Sequence, residues 1–230
     1  MDYRTLRSAP LGSLRSIEAD SLDAVLLDEE EARALGCLME KEMTTPDYYP
    51  LTLNSLVAAC NQKSSRDPVV EYDDALVQSA LERLQEKGLT RRITGGDSRV
   101  PRFRHVANDA LRLNKERAAV ICVLLLRGPQ TPGEIRQRTN RMYEFASLGE
   151  VEETIEELRT RDTLALVTQL ARQPGTKEAR YAHLLMGPID EAEMVAAAPV
   201  KRSGLEQRVT ELEEKIALLE AQFEQFKSQF

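Results

Sequence analysis

Apolar residues begin to recur at helical spacing just after Asp28. Asp28 followed by Glu29, Glu30 and Glu31 predicts a helix start, because acids there meet free N–H groups and complement the helix dipole. Leu35, Leu38 and Met39 give that helix an apolar face. Thr45, Pro46 and Pro50 predict a turn, and a second helix follows from about Thr52, with Leu53, Leu56, Val57 and Cys60 on one side. The polar segment 61–68 breaks it. A third helix is predicted from Asp73 and Asp74, with Leu76, Val77, Ala80, Leu81 and Leu84 inward and Gly88 as its stop, where a left-handed backbone costs least. Two β-capable runs around Gly95 and Gly96 predict a hairpin over 89–106.

The second half repeats this order. Residues 118–126 form an unbroken apolar run that reads as a core helix. Thr131, Pro132 and Glu134 spell a capping box with proline at the first helical position. Ser147 and Glu150 start a third helix whose core face is Val151, Ile155 and Leu158. Residues 164–170 and 180–184, around Pro174 and Gly175, predict a second hairpin. Thr52, Leu56 and Asn61 correspond to Thr131, Ile135 and Asn140 at one offset, while Arg102, Phe103 and His105 correspond to Arg180, Tyr181 and His183. Such matches indicate an internal duplication.

The expected fold class is therefore mainly α with small β-hairpins: two tandem winged helix-turn-helix domains, 25–108 and 109–186, followed by a C-terminal coiled-coil helix. Residues 1–24 mix Ser, Arg, Pro and Gly and read as a flexible tail; 187–203 have linker composition. Over 204–230, Leu205, Val209, Leu212, Ile216, Leu219, Phe223, Phe226 and Phe230 alternate spacings of four and three. That is the coiled-coil repeat, with the β-branched Val209 and Ile216 at a and Leu at d in the first heptads favouring a parallel dimer. In a parallel pair Arg208 faces Glu213 and Lys215 faces Glu220, both attractive. A single amphipathic helix folding back on its own chain is the alternative.

Composition narrows the function classes. The 230 residues carry 31 Lys and Arg against 38 Asp and Glu, a formal charge of -7, which disfavours a surface coated in cations but leaves a local basic patch open. The longest apolar run is about half of what a membrane span needs, and no apolar stretch of signal-peptide length follows Arg4, Arg7 and Arg15, so the cytoplasm is expected and a membrane is not. Cys37, Cys60 and Cys122 sit singly among apolar neighbours and His105 and His183 lie far apart, a distribution that disfavours disulfide and zinc frameworks. Phosphate-binding, dinucleotide-binding, nucleophile-elbow and zinc-protease motifs are missing. No enzyme activity and no cofactor are expected.

In a DNA-binding winged helix the third helix enters the major groove and the wing meets backbone or minor groove. Here the third helices are acidic: Glu71, Asp73, Asp74, Glu82 and Glu86 in the first half, and Glu150, Glu152, Glu153, Glu156 and Glu157 in the second. The second would repel phosphate. The first wing is the opposite, with Arg91, Arg92, Arg99, Arg102 and Arg104 against Asp97 alone. The candidate nucleic-acid-binding set comprises those five together with Arg66, Arg136, Arg138, Lys177 and Arg180; Arg141 belongs to the same weaker basic group as Arg136 and Arg138. Alternatively the wing arginines pair with the acidic helices of their own fold.

At Asn61-Gln-Lys-Ser-Ser-Arg-Asp-Pro-Val69, Arg141-Met-Tyr-Glu-Phe145 and the run from Leu170 to Leu184, the sequence closely resembles the bacterial YceH family over about residues 25–186. The resemblance implies two winged helices and supplies no catalytic residues. It places Asn61, Lys63, Arg66, Tyr143 and Phe145 in corresponding turns, where they would line one shared surface, or else shape a turn and fill a seam between the halves. The expected protein is a cytoplasmic homodimer that binds DNA through basic wings. A winged-helix module that binds an unidentified protein partner through its acidic helices is the other reading.

Overall fold

The computed structural model describes residues 26–95, 98–162, 164–171 and 178–189, apart from the side chains of Ser98 and Arg99. The expected tail 1–24, the tips of both hairpins with Lys177, residues 190–203 of the expected linker and the heptads of 204–230 lie outside the described residues. Residues up to 188 group as one unit and 189–230 as another.

Seven helices and two small antiparallel sheets are described. Helix α1 is Glu29–Thr44, and its start is a complete capping box: Asp28 accepts from the Glu31 N–H and Glu31 accepts from the Asp28 N–H, each at 2.8 Å. Strand β1, Leu51–Thr52, leads into α2, Leu53–Cys60, whose first turn is capped by Thr52. Helix α3 is Asp74–Glu86, capped by Asp73, and the chain leaves it through Gly88 at φ 69°. Strands β2, Thr90–Gly95, and β3, Ser98–His105, form the hairpin, and β1 pairs with the outer side of β3 to give a sheet in the order β1-β3-β2. The pairing of β1 was not predicted; a two-residue strand leaves no alternation to read.

A short helix α4, Ala107–Ala110, joins this half to α5, Lys115–Arg127. Then come α6, Pro132–Thr139, with the capping box of Thr131 and Glu134, and α7, Leu148–Arg159, capped by Ser147. Strands β4, Val167–Gln169, and β5, Tyr181–His183, close the second half, with Tyr181 also bridged to Gln130.

The two halves reuse the same contacts. Thr52 and Thr131 both cap their helices, and Leu56 and Ile135 are both fully buried beneath them. Leu51 pairs with Phe103 as Gln130 pairs with Tyr181. The Arg102 guanidinium donates to the Pro50 carbonyl at 2.8 Å, and Arg180 donates to the Pro129 carbonyl at 2.9 Å. Each hairpin enters by the same hydrogen bond to its preceding helix, from the Leu89 N–H to Leu84 and from the Leu166 N–H to Leu158. The duplication is thus visible in backbone contacts as well as in letters.

One apolar cluster runs through both halves, and α1 and α5 cross at its centre. Ala118 through Leu126 are all buried, as the unbroken run predicts. The helices approach so closely at Gly36 that a Cβ there would lie 2.9 Å from Leu126 Cδ2 and 3.2 Å from Leu125 Cβ. Cys122 donates its thiol to the Gly36 carbonyl at 3.4 Å, and all three cysteines are free and buried. Leu76 corrects one expectation: it is 36% exposed, while Val77, Ala80, Leu81 and Leu84 are buried. Those four complete the i, i+3, i+4, i+7 stripe, and Leu76 falls one residue step off it.

Replacing Gly36 by Val adds two methyls and a Cβ where none fits. Gly36→Val is expected to lower unfolding free energy by about 1–3 kcal/mol, read by urea denaturation. A variant as stable as the parent would contradict the close crossing.

Candidate nucleic-acid interface

The predicted arginines separate by what lies within reach of each guanidinium. In the hairpin, Arg91 stands directly opposite Arg104, Ile93 opposite Arg102, and Arg92 opposite Phe103. Alternation along a strand puts Arg91, Ile93, Arg102 and Arg104 on one face of the sheet, with Phe103 buried on the other. Arg91, Arg92 and Arg104 are exposed, and none of them forms an ion pair among the described residues. Like charges placed directly across a ladder repel and weaken the pairing. The acidic α3 does not neutralise them. Its own basic residues, Arg83 and Lys87, serve the start of α1 instead: Arg83 lies 2.8 Å from Asp28, and Lys87 reaches Glu31 at 2.7 Å. Arg99 lies in β3, with its side chain outside the described residues.

Several groups fix the hairpin to the helices. Arg102 is half-buried, and its clamp on Pro50 occupies part of its guanidinium. Nε2 of the buried His105 lies 2.8 Å from a Glu42 carboxylate oxygen. The hydrogen bond from His105 holds the Glu42 carboxyl below the usual carboxylate range against its partial burial, with a smaller contribution from Arg104. The Tyr49 hydroxyl accepts from the His105 N–H at 2.7 Å. Burial raises the Tyr49 phenol well above its usual range, so the hydroxyl stays neutral. Glu42 and Tyr49 carry no sequence signal for this task, because their partner is 56 positions away for Tyr49 and 63 for Glu42.

The other described candidates have partners within the chain. Arg66 is a buried residue, 5% exposed, which corrects its assignment to a nucleic-acid surface. Its guanidinium donates to both Glu40 carboxylate oxygens, at 3.2 and 2.6 Å, and its Nε donates to the Ala59 carbonyl at 3.1 Å. Burial by itself would raise the Glu40 pKa, but the Arg66 hydrogen bonds and charge outweigh it and keep Glu40 ionised. Arg136 donates to the Ala146 carbonyl, Arg138 to Gln130 at 2.7 Å, and Arg180 to Glu134 at 3.0 Å as well as to Pro129. Lys177 lies outside the described residues.

The shared surface expected from the two turn motifs does not form. Phe145 is 2% exposed and meets Tyr143 edge to face with centroids 4.7 Å apart, while Asn61 exchanges two 2.8 Å hydrogen bonds with the Tyr72 backbone. These residues hold their loops, and Lys63 alone of the five is exposed. His183 is half-buried with Nδ1 covered; burial pushes its pKa down to about 4, so it is neutral at neutral pH.

Arg66 and the hairpin arginines should therefore respond differently to substitution. Arg66→Met strands the Glu40 charge and is expected to cost about 3–5 kcal/mol of unfolding free energy. Arg104→Ala relieves a like-charge pair and is expected to stay within about 0.5 kcal/mol of the parent. Chemical denaturation of both variants reads the contrast; equal losses would contradict it.

Comparison with known proteins places the chain. A family profile described as "Protein of unknown function, DUF480" matches residues 27–176. The UPF0502 protein of Solibacter usitatus is 49% identical over 205 residues, covering 89% of this chain and 98% of that protein. That of Koribacter versatilis is 54% identical over 166 residues, 72% of this chain and 76% of its own. The UPF0502 protein YceH of Salmonella paratyphi B is 43% identical over 198 residues, 84% of this chain and 92% of its own. With the turn motifs, the duplicated halves and these relatives all in agreement, the chain belongs to the DUF480 family of UPF0502 proteins, the family of YceH.

Proposed function

We propose that the protein is a non-enzymatic, tandem winged-helix protein that binds nucleic acid through its basic first hairpin and acts as a homodimer. Arg91 and Arg104, exposed side by side on one face of the hairpin, and Arg92, exposed on the other, all without ion-pair partners among the described residues, are the observation that carries this reading. Cations held close on a sheet face repel one another until an anion lies across them, and a phosphate backbone offers a row of anions. The order helix, helix, helix, hairpin, repeated in each half with a short strand in the first and a single bridge at Gln130 in the second, supports the winged-helix assignment. The heptads of 204–230 support the dimer, which would present two such hairpins at once.

The binding expected is backbone contact without sequence readout. Helix α3 begins at Asp73 and Asp74 and exposes Glu82 and Glu86, and α7 exposes Glu152 and Glu153, so neither suits a groove lined by phosphate. A second reading, docking of a basic protein partner on α7, is favoured by Leu148, 43% exposed at the start of the helix that bears those acids.

Fluorescence anisotropy with a random-sequence duplex across a salt series tests the first reading. Neutralising about three phosphates per chain predicts a slope near -2.7 for log K against log salt. Replacing Arg91, Arg92 and Arg104 together by Ala should abolish most of the binding, and Arg136→Ala should leave it unchanged. No binding at low salt would overturn the proposal. For the dimer, sedimentation of the full chain should give twice the mass per particle of a chain ending at Pro199, relative to each chain's own mass. A truncated chain that remains dimeric would remove the heptads from the interface.

A further inference from the structure

A second group of arginines lies apart from the hairpin set. The end of α1, the loop after α2, the end of α5 and the region of α6 enclose a pocket of about 40 Å³, room for about three water molecules. Its polar wall is made by Glu40, Thr44, Ser65, Arg127, Arg138 and Arg141, over an apolar floor of Val123 and Leu126. Arg66 lies behind Glu40 and neutralises it with both guanidinium nitrogens. The charges facing the pocket therefore do not cancel. Among the residues that line it, Arg127, Arg138 and Arg141 outnumber Glu40 by two charges, while outside the lining Arg66 pairs with Glu40 and Glu134 pairs with Arg138.

Arg127 is the unusual member. It makes no ion pair among the described residues, and the charges of Asp67 and Glu134 do not outweigh its burial and the repulsion of its neighbours. Burial, then repulsion from Arg138 and, more weakly, Arg66, lowers its pKa from the ordinary guanidinium value. A partly covered guanidinium held beside like charges raises the free energy of the empty site, and an anion between the forks offsets that cost. Arg141 is exposed at the rim and within electrostatic range of Glu40, and the Ser65 hydroxyl adds a donor at the mouth. The planar forks of Arg127 and Arg141, matched to tetrahedral oxygens, the excess of two positive charges in the lining and space for one small group all select a dianion of phosphate size.

We infer that this pocket, walled by Arg127, Arg138 and Arg141 between α1, α5 and α6, binds a phosphate dianion, either free phosphate or the terminal group of a small phosphate monoester. The site is separate from the hairpin and does not rest on the nucleic-acid reading. Because its walls come from α1 in the first half and α5 and α6 in the second, an occupant ties the two halves together.

Isothermal titration of the full-length protein with inorganic phosphate, in low-salt chloride buffer, tests the inference. One saturable site per chain is expected, weakened about tenfold or more by Arg127→Gln and by Arg141→Gln. Arg141 is exposed, so its variant keeps the fold even if Arg127→Gln does not. A second titration with glycerol phosphate separates the sources: tighter binding identifies a monoester as the ligand class, and equal or weaker binding identifies free phosphate. Absence of saturable binding, or binding indifferent to Arg127→Gln and Arg141→Gln, overturns the inference. So does a duplex that competes with phosphate and is itself weakened by Arg141→Gln, because the pocket would then belong to a nucleic-acid surface.

Discussion

The close crossing of α1 and α5 at Gly36 is the constraint on which the rest of the structure depends. Residue 36 has no side chain, so the Leu125 and Leu126 side chains of α5 can lie against the α1 backbone, and the Cys122 thiol reaches the Gly36 carbonyl. Each helix opens one of the duplicated halves. Their contact merges two sets of helices, each with a single apolar stripe, into one continuous core. Small domains bury a smaller fraction of their surface, so a shared core stabilises both halves more than either could achieve alone. The same crossing brings the end of α1 beside the end of α5, which is where Glu40, Arg127 and their neighbours meet.

Arginine does three different jobs in this chain, and geometry assigns them. Arg33 and Arg66 are structural: Arg33 donates to the Pro68 and Cys60 carbonyls and Arg66 grips Glu40 and Ala59, so together they hold the loop after α2. Arg102 and Arg180 clamp the carbonyl just before the short pairing segment of each half. Arg91, Arg92 and Arg104 have no such partner among the described residues, and Arg127 sits among like charges. A guanidinium satisfied by carbonyls and a carboxylate contributes to folding; one left facing its own kind is a place where an external anion gains free energy.

The acidic total takes on a different meaning once the charges are placed. Glu29, Glu30 and Glu31 sit at the start of α1, where the dipole favours them and where Arg83 and Lys87 reach. Glu156 and Glu157 pair with Arg159 and Arg117, and Glu150 binds Tyr143 and the Ala146 N–H. Much of the negative charge is thereby spent within the helices, while the hairpin keeps its positive charge. A formal charge of -7 and a cationic hairpin face are compatible for that reason.

The sequence by itself determined the local structure. Asp28, Thr52, Asp73, Thr131 and Ser147 mark five helix starts because a cap acts within three residues, and the apolar stripes of α3, α5 and α7 are set by helical period. The duplication was also legible, since equivalent contacts need equivalent letters. Only the tertiary structure decided which arginines stand free. Arg66 and Arg91 read alike in the sequence, yet one meets a carboxylate 26 positions away in a buried site and the other meets another arginine across a hairpin. Partners that distant are chosen by how helices and strands pack, and the energy of a charge is set by its partner and its solvent rather than by its neighbours in the chain.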